Sequence, residues 1–87
     1  MITVYVLESK ESGQRYTGIT NNIERRLAEH GTRATKAGQL LGEFSLIHTE
    51  EHADYATARA REKFLKSGRG RERLLSKYPR FVRSAGT

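Results

Sequence analysis

The sequence predicts a small α+β domain: a three-stranded, mainly antiparallel sheet with helices packed on it, in the order β-β-α-β-α-α. Three observations carry this. Two β-branched and aromatic runs near the N-terminus are separated by one short polar loop, which reads as a hairpin. Two later segments have helix-period apolar spacing and begin at good capping residues. A third alternating run lies between those helices, which places it as another strand of the same small sheet.

Residues 2–7, Ile-Thr-Val-Tyr-Val-Leu, form the first predicted strand. Alternation puts Ile2, Val4 and Val6 on one face and Thr3, Tyr5 and Leu7 on the other. A polar loop ending at Gly13 leads into a second strand at 14–20, where Tyr16 and Gly18 share a face and Arg15, Thr17 and Ile19 share the other. A glycine inside a strand costs stability, so Gly18 signals close approach by a ligand or a side chain.

The first helix is expected to start at Asn21 as N-cap, with Glu24 three residues on to complete a capping box, and to stop at Gly31. Its stripe is Ile23, Arg26, Leu27 and His30, two apolar residues and two polar ones. A purely structural helix more often fills such a stripe with apolar residues. Arg26 and His30 therefore read either as members of a site at the core's edge, or as a snorkelling arginine and a structural histidine. Residues 32–42 read as an irregular connection, and 43–49 as the third strand, with Phe44, Leu46 and His48 alternating against Ser45 and Ile47. Asp54 caps the next helix, which is expected to run to Ser67 and stop at Gly68. Glu62 flanks its apolar stripe and needs a partner there, either a metal ion or a neighbouring cation such as Arg59 or Lys66. A short last helix over 69–77 ends before Pro79.

Eighty-seven residues hold one core, and there is no cysteine to staple it. The apolar runs are too short to span a bilayer, and the N-terminus has no basic n-region or cleavage signature, so neither membrane insertion nor secretion is expected. Sixteen Lys and Arg against ten Asp and Glu leave a net charge of +6. The cations concentrate late: Arg59, Arg61, Lys63, Lys66, Arg69, Arg71, Arg73, Lys77, Arg80 and Arg83 face only Glu62 and Glu72. Such a surplus serves solubility alone or forms an electrostatic footprint for nucleic acid; its clustering favours the second.

Taken together, the ordered segments resemble the GIY-YIG endonuclease family, and within it the short stand-alone bacterial proteins. Thr3-Val4-Tyr5-Val6 stands at the first motif, without its glycine. After a ten-residue gap, Tyr16-Thr17-Gly18 stands at the second. The run Ile19 to His30 is similar to the helix that carries the family's arginine, and Ala58 to Ser67 to the helix that carries its metal-binding glutamate. The resemblance implies a nuclease domain over 1–78 with a tail at 79–87. It implies Tyr5 and Tyr16 as motif tyrosines, Arg26 as motif arginine, Glu62 as the single carboxylate on one Mg²⁺ or Mn²⁺ ion, and a site role for His30. The late asparagine of many active members has no counterpart after Asn22.

The chemistry implied is metal-dependent hydrolysis of phosphodiester bonds, with structured DNA of a repair or recombination type expected before RNA. One ion on Glu62 would act as Lewis acid, and Arg26 would clamp the phosphate with its fork of donors. Tyr5 or Tyr16 would position water, with either a tyrosine of lowered pKa or His30 as general base. Taken alone, both tyrosines read first as cross-strand packing partners, and the company of Arg26 and Glu62 reverses that reading. The expected geometry has these residues converging on one open face of the sheet. Gly18, Arg25, Arg59, Lys63, Lys66, Arg69 and Arg71 are expected to meet the nucleic acid, mostly through its backbone and so with little sequence choice. The resemblance further implies a cytoplasmic bacterial protein, monomeric or weakly dimeric. Two other readings stay open: a DNA- or RNA-binding module of the same fold that does not cut, and an adaptor whose basic face meets an acidic partner.

Overall fold

The computed structural model describes residues 1–79 and contains three strands and four helices: β1 (Ile2–Ser9), β2 (Arg15–Thr20), α1 (Ile23–Gly31), α2 (Lys36–Leu41), β3 (Phe44–His52), α3 (Tyr55–Lys66) and α4 (Gly68–Lys77). The expected tail from residue 80 onward, with Arg80 and Arg83, lies outside the described residues. The strand order is β2-β1-β3 with both pairings antiparallel, so the fold class is the α+β sheet that the sequence predicts.

The central strand β1 is buried from Ile2 to Leu7, and its two faces build two separate cores. Ile2, Val4 and Val6 pack with Ala58 and Leu65 of α3 and Leu74 of α4. Tyr5 and Leu7 pack with Leu41 of α2, joined by Tyr16, Ile23, Leu27 and Phe44. Helices thus cover both faces, and this corrects the expectation of one open face. An eight-residue strand with apolar side chains on both sides needs cover on both sides, and the chain supplies a helix pair for each.

The segment 32–42 is not an irregular connection, since it contains α2. Thr35 caps it by accepting from the Gly38 amide, and Ala37 and Leu41 turn inward. A β-carbon at Gly38 would lie 2.2 Å from the His30 carbonyl oxygen, so only glycine lets α2 seat directly on the end of α1. Arg33 makes the turn between them at φ 61°, the left-handed region.

Smaller corrections have local causes. The cap of α1 is Asn22, not Asn21: its side chain accepts from the Arg25 amide, because the Thr20 hydroxyl holds the Asn22 amide one residue later than expected. Gly31 is the last helical residue, and Thr32 is the C-cap. β3 runs on to His52, and a bulge between the partners of Val6 and Leu7 breaks its simple alternation. Leu46 therefore pairs with Leu7, while His48 pairs with Val6 on the opposite face. Asp54 and Ser67 cap α3 and α4 through the amides of Thr57 and Gly70.

Candidate functional site

Register brings the two motif tyrosines together. Tyr5 lies opposite Gly18 and Leu7 opposite Tyr16, so Tyr5, Tyr16 and Gly18 share the face under α1. The rings of Tyr5 and Tyr16 are 6.2 Å apart, and that of His30 on α1 lies 5.9 and 5.6 Å from them. The close approach signalled by Gly18 comes from a side chain. A β-carbon there would sit 2.6 Å from the Tyr5 hydroxyl, and Gly18 is buried beneath it. This corrects Gly18 as a nucleic-acid contact: Tyr5 occupies the space a phosphate would need.

His30 is fully buried, with Nε2 2.9 Å from the Tyr5 hydroxyl and Nδ1 2.6 Å from the Thr35 hydroxyl. Burial lowers its pKa, and the nearby Arg26 charge lowers it further against a smaller opposing pull from Glu29, so the ring is neutral at pH 7. Burial also pushes the Tyr5 hydroxyl up to about 12, although the Arg26 guanidinium draws it the other way. The expected lowered tyrosine pKa is therefore overturned for Tyr5: removal of its ring from water outweighs the single neighbouring cation. Tyr5 is protonated and donates to the neutral His30 at Nε2. The His30 proton then sits on Nδ1 and is donated to Thr35. Thr35, which the sequence reading missed, thus orients the histidine while capping α2. Its one sequence signal is a threonine followed by Ala37 and Leu41 at helical spacing and then Gly42.

Neither Tyr5 nor His30 exposes any surface. The outer members of the cluster are Tyr16 and Arg26, both half-buried, with the Arg26 side chain 36% exposed and bonded to Glu29 at 3.0 Å. Chemistry on a bound phosphate begins with these two, and the Tyr5–His30–Thr35 chain stands behind them.

Glu62 has no bond to the residues gathered around Tyr5 and His30. It belongs to α3, which packs through Ala58 and Leu65 on the far side of the sheet. Its carboxylate is partly exposed and pairs with Lys66 at 3.1 Å, the bland partner that the sequence allowed. The two sides meet at β2, an edge strand: Lys66 and Tyr16 line one cavity along it. Among the described residues no group of three or more His, Asp or Glu side chains gathers as a ready-made cage. A lone, reachable carboxylate does suit a hydrated Mg²⁺, which takes one or two carboxylates and completes its shell with water and phosphate oxygens. The ion would have to displace Lys66.

The cations divide in the same way. Arg25 is exposed on α1, where Asn21 and Glu29 hold it loosely. Arg59, Lys63 and Lys66 are exposed on α3; on α4, Arg71 lines the β2-edge cavity with Lys66, whereas Arg69 lines a separate one with Phe64 and Arg73. Arg61 does not belong to this footprint, because it is spent on Glu50, with Nε 2.9 Å and Nη2 3.0 Å from the carboxylate. No described helix is long and apolar enough to cross a membrane.

Comparison with known proteins adds family evidence to this geometry. The model of the GIY-YIG catalytic domain matches residues 1–76. The UPF0213 protein ORF82 of Orgyia pseudotsugata multicapsid polyhedrosis virus is 37% identical over 87 residues, covering 91% of this chain and 80% of its own. A UPF0213 protein of Yersinia pestis (strain Pestoides F) is also 37% identical, over 82 residues, covering 91% and 85%. The solution NMR structure of a UPF0213 protein from Bacillus halodurans is similar with a TM-score of 0.54 and 33% identity, over 90% of this chain and 86% of that one. The chain belongs to the GIY-YIG family of nuclease domains, in company with the short UPF0213 proteins.

Proposed function

We propose that the protein is a divalent-metal-dependent endonuclease that hydrolyses phosphodiester bonds of nucleic acid, structured DNA before RNA, in a cytoplasmic setting. The observation that carries the reading is the buried, neutral His30 aimed at the Tyr5 hydroxyl directly behind Tyr16 and Arg26. A packing cluster gains nothing from burying two polar rings and a hydroxyl where apolar side chains would fit. A hydrolytic site gains a proton acceptor that stays uncharged until it is used.

In this reading Arg26 leaves Glu29 to hold the scissile phosphate with two N–H donors. Tyr16 orients the attacking water. The water's proton passes to the Tyr16 oxygen as the Tyr16 proton moves to Tyr5 and the Tyr5 proton to His30 Nε2. Tyr5 need never become a phenolate, so its pKa of about 12 is no obstacle. Thr35 keeps the imidazole in the tautomer that can accept. Glu62 would hold one Mg²⁺ or Mn²⁺ ion, which supplies Lewis-acid neutralisation of the phosphate and help for the leaving oxygen. The exposed cations from Arg59 to Arg71, with Arg25 on the other side of the β2 edge, would follow the nucleic-acid backbone.

The second reading is a binding module of the same fold that does not cut. Glu62 already satisfied by Lys66, and the lack of any asparagine after Asn22, favour it. The test compares wild type and Glu62→Ala on nicked, branched and single-stranded DNA and on RNA, with Mg²⁺, Mn²⁺ or EDTA. Metal-dependent cutting by wild type alone is expected. Salt-sensitive binding without cutting on every substrate would establish the binding module instead.

A further inference from the structure

Along the outer edge of β2 runs a cavity of about 460 Å³ that shares Tyr16, Lys66 and Arg71 with the proposed hydrolysis but whose apolar floor has no part in it. Its floor is apolar, made of Leu65 and Leu74, and Leu75 stands at its side with 40% of its surface exposed. Its rim is cationic, with Lys66 and Arg71, and Tyr16 and Arg15 close it on the strand side. The volume is in the range of about 300–1,000 Å³ that holds small organic ligands.

Three features favour one kind of occupant. Arg15 is 91% buried as a side chain, by its 9% exposure, and is bonded through Nε and Nη2 to Glu8 and through Nη2 to the Tyr78 carbonyl. Its Nη1 is buried and has no acceptor among the described residues, a position that costs free energy until an acceptor arrives. Leu75 is one of few large apolar side chains left in water, and it stands beside two cations rather than in an apolar patch. Among the described residues β2 has no strand partner on its outer side, so no strand pairs with its backbone donors and acceptors there. A flat apolar surface, cations beside it and a strand edge without a strand partner match a base, its phosphate and its hydrogen-bonding edge.

We propose that this cavity is a nucleotide subsite, in which the base lies on Leu74 and Leu75, the phosphate meets Arg71 and Lys66, and β2 reads the base edge. Its placement next to the scissile phosphate, through the shared wall at Tyr16, rests on the nuclease reading; occupation of the cavity by a nucleotide does not. The subsite would make the domain sensitive to a base at one fixed position beside the cut.

The experiment is a titration of the full chain with thymidine 5′-monophosphate, inorganic phosphate and an acidic peptide, followed by backbone amide NMR. Thymidine monophosphate is expected to shift the amides of Arg15–Thr17 and of Leu74 and Leu75. Leu75→Glu and, separately, Arg71→Gln are expected to weaken it by about fivefold or more. Both residues are exposed, and an unchanged spectrum elsewhere verifies the fold of each variant. Equal shifts with phosphate alone would reduce the site to an anion patch and overturn the proposal. So would shifts confined to other elements, no shift at all, or a response to the acidic peptide only. A parallel cleavage series with a single abasic position moved along the substrate separates the two readings. Absence of all cutting removes the nuclease reading while the titration still decides the subsite. Cutting that ignores every abasic position, together with a silent titration, removes the subsite and leaves the nuclease.

Discussion

His30 Nε2 stands 2.9 Å from the Tyr5 hydroxyl, and neither residue has any surface in contact with water. The pair is a buried hydrogen bond between two titratable groups that both stay neutral at pH 7, one held protonated and the other held deprotonated at Nε2. Arg26 helps to set both states, since its charge lowers His30 and draws on Tyr5.

Tyr5 should therefore ionise well above the ordinary tyrosine value of about 10. In an alkaline titration followed by near-ultraviolet absorbance, Tyr5 is expected to ionise near pH 12, or to ionise abruptly when the fold is lost. Its pKa is raised, so the unfolded chain loses this proton first, and stability falls as pH rises from about 10 towards about 12. Tyr5→Phe should remove that slope. An ionisation of Tyr5 at its ordinary value in the folded protein would show that the ring is not sealed.

His30 gives the opposite slope at the acid end. Its folded pKa lies below 6.5, so below that pH the unfolded chain binds a proton that the folded one refuses. Stability should fall as pH drops below about 6.5 and level off once the folded pKa is passed. His30→Gln keeps a polar group of similar size and should lose this part of the pH dependence in chemical denaturation. If wild type and variant show the same slope through that window, His30 is not held neutral by burial.

Thr35 joins the site to the fold, because one hydroxyl caps α2 and meets His30 Nδ1 at 2.6 Å. Thr35→Ala should cost about 1–2 kcal/mol, the usual loss of a threonine cap with a buried partner left behind. Thr35→Ser should restore both bonds. If cleavage recovers with serine in step with stability at every temperature, the role is structural. A shift of the acid limb of the pH–rate profile in Thr35→Ala, measured well below its melting temperature, marks the effect on His30.

Much of this is legible in the sequence, for reasons particular to each element. β1 and β2 announce themselves by alternation, and Gly18 by its place inside a strand. α3 follows from Asp54 and the spacing of Ala58 and Leu65, and the end of α4 from Pro79, whereas Ser67, read as the end of α3, is also the cap of α4. Arg26 and His30 stood out because they lie on a stripe where apolar residues belong. α2 did not: its six residues offer less than two turns of periodicity, and its cap makes a contact with His30 that no local pattern encodes. The placement of α3 on the face opposite α1 was equally hidden. Helical spacing tells which residues of α3 turn inward, but not which face of the sheet they turn to. The extension of β3 through Glu50 was hidden for a third reason. A strand through two adjacent acids looks unfavourable until Arg61, His48 and His52 are seen around the carboxylate.

That last cluster carries a prediction of its own. Burial would raise the Glu50 pKa, but the hydrogen bonds from Arg61, His48 and His52 outweigh it and hold the carboxyl at about 2. A depressed carboxyl adds stability that is fully present above its ordinary pKa of about 4.5 and is lost as pH falls towards about 2. A shift of that size corresponds to about 3 kcal/mol. Arg61→Ala should remove much of it and leave a buried charge with two histidines as its remaining partners, a loss of roughly 2–3 kcal/mol at pH 7. Replacing both residues, Arg61→Leu with Glu50→Leu, should cost less than Arg61→Ala alone, because no unpaired charge remains. The measurement is denaturant unfolding of wild type, Arg61→Ala and the double variant at pH 7 and at pH 3. A double variant weaker than the single one at pH 7 would mean that the ion pair itself, rather than the avoidance of an orphaned carboxylate, holds α3 against β3.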